Sequence, residues 1–170
     1  MLNKNRIEQR IDEDDLYVVG NFNGGDGDDL LAFSSETNKV HLLIFGKNSD
    51  KWQSLWQNEN GMIGGWNFDT DDRFFAGDFD GDGVDEVFLF SPSSDCASLF
   101  SYEGTDFEAI WINEGSGTIH YWGLDYRDLY LIGTFYGVQD NLLSINYSDG
   151  WSHLINYIGL PAHPSNYKNS

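Results

Sequence analysis

From Asp78 to Glu86 the chain runs Asp-Phe-Asp-Gly-Asp-Gly-Val-Asp-Glu, with carboxylates at positions 1, 3, 5 and 9 and a glycine at position 6. A hard cation with about six to eight oxygen ligands needs carboxylates converging from a tightly curved backbone, and glycine permits that curvature. Calcium is the natural occupant of such a loop. In this arrangement Asp78, Asp80 and Asp82 supply side-chain oxygens, Val84 supplies its carbonyl, Glu86 closes the sphere and Asp85 projects outward. The plainer alternative is an acidic turn whose Asp and Gly serve turn geometry alone. Repulsion among so many neighbouring carboxylates favours the cation. An EF-hand is excluded, because the position where that loop carries its bidentate glutamate is occupied by Leu89.

A related stretch lies one period earlier. Asn21-Phe-Asn-Gly-Gly-Asp-Gly-Asp-Asp29 aligns without a gap, Gly20 pairing with Gly77 and Phe33 with Phe90 at an offset of 77 − 20 = 57 residues. Its first and third positions are neutral amides, so Asn21, Asn23, Asp26 and Asp29 form a set of lower charge and lower expected affinity. A third copy follows at an offset of 133 − 77 = 56, with Gly133 and Phe135 in place, but its loop, Thr134-Phe-Tyr-Gly-Val-Gln-Asp140, has no carboxylate cluster. That loop is expected to hold no ion.

The elements that must position these loops are short. Aromatic and β-branched runs at 17–22, 30–34, 40–45, 51–57, 74–79, 87–91, 97–102, 107–112, 129–135, 142–147 and 151–157 are each bounded by Gly, Asn, Asp or Ser, and no sustained helical period of apolar residues occurs. The chain therefore reads as all-β. A period of this length with four short strands suits β-propeller blades, here about three, at roughly 7–63, 64–119 and 120–160, with a flexible tail at 161–170. Gly77 to Tyr102 spans 25 residues and Gly133 to Tyr147 only 14, which predicts a third blade shortened by a strand. Since closed propellers usually have about four to eight blades, the alternatives are a longer parent chain, a ring completed by further copies, or open packing. Trp66 recurs as Trp122 and Trp56 as Trp111, which points to packing between neighbouring sheets.

GDFDGDGVDEVFLF at 77–90 and GNFNGGDGDDLLAF at 20–33 resemble the FG-GAP, or VCBS-type, repeats of integrin α-subunit propellers and of bacterial and fungal relatives. The resemblance covers about three copies, most of the chain, and is strict in the second, eroded in the first and lost in the third loop. It implies propeller blades that bind calcium in the turn between their first two strands, and adhesion or ligand recognition on cell surfaces or in secreted proteins. It also admits a lectin, since some relatives bind sugars.

Composition narrows the partners. Nine Lys and Arg against 28 Asp and Glu give a net charge of −19, a field that repels nucleic acid and anionic lipid. No apolar stretch approaches the roughly 18 residues of a membrane span, and the first residues lack a signal peptide's apolar region. Cys96 stands alone, the four histidines lack zinc spacing, no G-x-S-x-G occurs, and acids held ionised by a metal make poor general acids. A non-catalytic module for a protein or glycan ligand is expected, with Trp52 and Trp151 the aromatic residues freest to face that ligand and a homo-oligomer as one route to a complete ring.

Overall fold

The computed structural model describes residues 15–46, 50–113, 118–119 and 122–156. The start of the first unit at residue 7, the end of the third beyond residue 156 and the tail at 161–170 lie outside the described residues. Among the described residues the fold is all-β, without helix, and no helix is long and apolar enough to cross a membrane.

Three antiparallel meanders follow one another. The first joins β1 (Leu16–Gly20), β2 (Asp29–Ser34), β3 (Lys39–Gly46) and β4 (Lys51–Asn58) in chain order. A two-residue hairpin, β5 (Met62–Ile63) and β6 (Trp66–Asn67), leads to the second, built of β7 (Arg73–Gly77), β8 (Glu86–Ser91), β9 (Cys96–Tyr102) and β10 (Phe107–Asn113). A matching hairpin, β11 (Thr118–Ile119) and β12 (Trp122–Gly123), leads to the third, β13 (Leu129–Gly133), β14 (Asn141–Ile145) and β15 (Ser152–Ile155). None of these sheets closes on itself. The eleven runs expected from sequence all contain strands, whereas the two hairpins were too short to show a period.

The third sheet has three strands among the described residues, but its difference from the second is not the one expected between Gly133 and Tyr147. Tyr147 is no counterpart of Tyr102. It lies in the β14–β15 turn, where Asn146 Oδ1 accepts from Ser148 N–H at 2.8 Å, while Tyr102 ends β9 and its hydroxyl donates to the Gly104 carbonyl at 2.9 Å. The offsets of 25 and 14 residues therefore compare a strand-end tyrosine with a turn tyrosine and do not mark a deleted strand.

The core consists of two apolar layers, one on each side of the middle sheet. Phe22, Leu31, Phe33, Val40 and Leu42 of the first unit meet Val87, Leu89, Phe100 and Phe107 of the second. Phe88, Phe90, Leu99 and Trp111 on the opposite face meet Leu142 and Ile155 of the third. Strand β8 is thus buried along its whole length, which explains why it reads as an unbroken apolar run instead of an alternating one. Three of the four recurring tryptophans serve this packing as expected, and the side chain of Trp122 lies outside the described residues. Trp56 sets its ring edge against Phe107 at 5.2 Å, Trp111 is buried, and Trp66 meets Phe100 at 6.2 Å. Leu89→Ala removes a fully buried side chain from the first layer and is expected to cost about 2–5 kcal/mol of unfolding free energy in urea titrations. Val138→Ala, on an exposed loop, is expected to stay within about 0.5 kcal/mol of wild type.

Candidate metal centre in the middle loop

Each first-to-second strand connection is built on one buried side chain at the first position of the second strand. Asp29, Glu86 and Asn141 occupy that place, paired with Gly20, Gly77 and Gly133 respectively. All three are buried, and each turns an oxygen under its own loop. Glu86 Oε2 accepts from the Phe79 N–H at 2.9 Å and the Asp80 N–H at 3.3 Å. Asp29 Oδ2 accepts from Asn23 N–H at 3.1 Å, and Asn141 Oδ1 accepts from Tyr136 N–H at 2.9 Å. These side chains satisfy backbone donors that the sharp turn removes from the ladder.

In the middle loop the backbone folds around its own acids. Asp78 Oδ1 accepts from Gly81 N–H at 2.7 Å and its Oδ2 from Gly83 N–H at 3.0 Å. Gly81 and Gly83 adopt φ of 85° and 90°, a region closed to most side chains, so the curvature attributed to glycine is present at both positions. The outcome is a cluster of Asp78, Asp80 and Glu86 whose oxygens lie within 4.8 Å of one another. That spacing fits the diameter of a coordination sphere with metal–oxygen distances of about 2.4 Å. Asp82 is outside the trio; its Oδ1 accepts from Val84 N–H at 2.8 Å. Val84 is half-buried, with its side chain over Gly24 of the first loop.

Electrostatics sharpen the case for a cation. Burial, followed by repulsion from Asp80, pushes the Glu86 carboxyl up to about 8. Burial likewise raises Asp80, with repulsion from Asp82, Asp78 and Glu103 added. Glu103 was not singled out in the sequence, since only the folding of β9 brings it near the loop. No Lys or Arg occurs between Arg73 and Arg127, so neither the loop nor strands β8 to β10 bring a basic side chain to offset the cluster. An acidic trio that can hold a metal ion is therefore present.

The other candidate residues divide. In the first loop, Asp29 Oδ1 is engaged by Asn23 Nδ2 at 2.7 Å, Asn21 is half-buried and Asp26 is exposed. Among the described residues, Asp78, Asp80 and Glu86 form the one cluster of three or more metal-binding acid, His or Cys side chains, so the first loop assembles no such group. Trp52, on the first sheet, and Trp151, at the end of the β14–β15 turn, are 47% and 68% exposed, and Trp52 sets its ring against Phe45 at 5.5 Å.

Asp85 does not project outward. Its Oδ2 accepts from Asn21 N–H of the first unit at 2.7 Å, and its own N–H donates to the Asn21 carbonyl at 3.0 Å. Asp140 repeats the contact on the second unit, its Oδ2 accepting from Asp78 N–H at 3.3 Å and its N–H donating to the Asp78 carbonyl at 2.7 Å. The expectation failed because the side of β8 opposite Glu86 faces a neighbouring loop, not solvent. A signal existed: Asp28, Asp85 and Asp140 all precede the buried closing residue, and Asp140 persists where the other acids are gone.

Compared with known proteins, the chain matches no family model and no curated relative.

Two outcomes follow from this geometry. Asp85→Ala strips a charge-assisted bond between units and is expected to cost about 1–3 kcal/mol in urea unfolding, with Asp85→Asn milder because an acceptor oxygen remains. Glu86 ionises near 4.5 when unfolded and near 8 when folded without metal. Its contribution to stability is complete below about pH 4.5 and is lost as pH rises through about 8. In chelator the Tm should fall by several degrees across that interval, and Glu86→Gln should flatten the fall.

Proposed function

We propose that this chain is a calcium-stabilised, propeller-type module for non-catalytic ligand recognition. The observation that carries the reading is the convergence of Asp78, Asp80 and Glu86 within 4.8 Å on a segment without basic residues. Among divalent ions, calcium suits an all-oxygen set on a flexible glycine-rich loop better than magnesium, which demands stricter octahedral geometry. Asp78, Asp80 and Glu86 would hold it, with Asp82 and the Val84 carbonyl as further donors. The bound ion would supply the positive charge that lets Glu86 stay ionised while buried. Its role is structural, locking the loop that carries the Asp78 backbone to which the third unit is fastened.

The propeller reading is supported by the meander order of the strands and by the lateral contact of β1 with β7 and of β7 with β13, which sets the first strands of successive units side by side. It agrees with the FG-GAP-like residues at 20–33 and 77–90, which also support a role outside the cell or at its surface. A recognition role is favoured over an enzymatic one because the clustered acids of the middle loop, held ionised by a cation, would make poor general acids. The ligand is a protein surface or a glycan, and the exposed rings of Trp52 and Trp151 are the apolar faces offered to it.

Calorimetric titration with calcium is expected to give one site with a dissociation constant on the order of 10⁻⁴ to 10⁻³ M. Calcium at about 100 times that constant should stabilise the fold by about 2.7 kcal/mol. Asp80→Asn should abolish the response while leaving the protein folded in chelator. Identical melting curves in chelator and in millimolar calcium would falsify the reading.

A further inference from the structure

We infer that the two ends of the three-unit array are complementary halves of one contact, so that the third unit of one molecule receives the first unit of a second copy. Two internal junctions show what the contact consists of. At the first, Asp85 seats its carboxylate beside Gly20 while exchanging backbone bonds with Asn21. A Cβ on Gly20 would meet Asp85 Oδ2 at 2.8 Å and Ala76 Cβ at 3.0 Å. At the second, Asp140 seats beside Gly77 and bonds Asp78, and a Cβ on Gly77 would meet Ile132 Cγ2 at 2.7 Å and Asp140 Oδ2 at 3.0 Å. The glycine is therefore kept free of a side chain to make room for an aspartate and an aliphatic residue from the next unit.

The third unit retains this receiving site without an incoming partner among the described residues. Gly133 stands in the same register, yet the nearest atoms to a Cβ there are its own unit's Phe135 ring at 3.6 Å, an ordinary contact. The following Thr134 is exposed, where Asn21 and Asp78 are half-buried beneath Asp85 and Asp140. The contrast is clearest at the conserved-register phenylalanine. Phe22 and Phe79 are 0% and 4% exposed, and Phe135 is 50% exposed. Gly24 is covered by Val84 and Gly81 by Gln139, whereas Gly137, at the same place in the third loop, has nothing within 4 Å of a Cβ.

The opposite end presents the matching half. Asp28 holds the position of Asp85 and Asp140, and Val19 that of Ala76 and Ile132. Asp28 is exposed and Val19 is 59% exposed, while their internal counterparts are half-buried. Nothing in the first loop requires an aspartate there, since Asp29 already pins the backbone. Seating Asp28 on Thr134 and Val19 against Gly133 of a second molecule would repeat the internal junction. The contact is heterologous, so copies close into a ring or extend as a chain according to the rotation between units. Because each copy carries a charge of −19, association is expected to strengthen as salt screens the repulsion. Asp80 and Glu86 take no part, so the contact stands or falls apart from the calcium reading.

Sedimentation equilibrium on the full chain at raised ionic strength, run in calcium and again in chelator, tests this. Wild type is expected above monomer mass, either as a discrete closed species or as a concentration-dependent series. Asp28→Ala removes the incoming carboxylate, and Gly133→Ala fills its seat. Gly133 has no left-handed φ and its Cβ meets only ordinary contacts, so both variants should keep the wild-type melting temperature. Each should weaken association about tenfold or more. An equal mixture of the two, in which one molecule's intact Asp28 end meets the other's intact Gly133 end, should regain mass that neither has alone. Wild type that stays monomeric at every concentration, or variants with the wild-type mass distribution, would overturn the inference. A melting temperature blind to calcium alongside intact association would overturn the metal reading alone.

Discussion

A carboxylate removed from water must find N–H donors or a cation, and this chain has few cations to offer. With 28 acids against nine basic residues, it places buried acidic groups where the backbone itself supplies the donors. Glu86 and Asp29 take N–H groups from their own turns, Asp85 and Asp140 take them from the neighbouring unit, and Asp72 takes them from Trp66 Nε1 at 2.9 Å and Asp69 N–H at 3.0 Å. Tight turns expose many donors that no ladder satisfies, so acid-rich turns and buried acids are two sides of one arrangement. Asn141 shows that the pinning role needs only an oxygen acceptor, since a neutral amide performs it in the third loop. The ionisable acids in the middle loop exceed what pinning requires.

That excess separates structure from chemistry. In the third unit the closing residue is neutral and the loop has no acid until Asp140, leaving a turn and an inter-unit contact. In the first unit, Asn23 donates its amide to Asp29, so that a neutral side chain meets the buried charge. In the second, Asp78 and Asp80 converge on Glu86, and every nearby charge has the same sign. Three loops on one backbone plan thus grade from a plain turn to a charged oxygen cage, and the difference rests on a few side chains.

The units depend on one another in the manner of repeat arrays. Each sheet buries a face only against its neighbour, and the middle sheet, covered on both sides, holds the most apolar strand. The aspartate contacts fix the register of that stacking, because apolar layers are tolerant of sliding while a paired N–H and carbonyl are not. The hydrogen bonds from Gly81 and Gly83 to Asp78 already gather part of the oxygen set, which reduces the ordering a cation would otherwise have to impose.

Local order was legible from the chain alone. Runs bounded by Gly and Asp, the 57- and 56-residue offsets and the acidic loop read as strands, units and a cluster, because alternation and turn chemistry are properties of neighbouring residues. Asp78, Asp80 and Glu86 were identifiable for the same reason, being close in sequence and on one curved segment. The destination of Asp85 was not. Adjacent residues of a strand point to opposite sides, so the pattern places Asp85 away from Glu86. Whether that side meets water or Asn21 depends on where the first unit lies, and no local pattern carries that information. The same holds for Glu103 beside Asp80, for Tyr147 in a turn instead of a strand, and for the different fates of Phe79 and Phe135. Local sequence determined which residues form strands, turns and acid clusters; tertiary packing decided which of them are buried, paired or left open, because burial is set by what stands opposite.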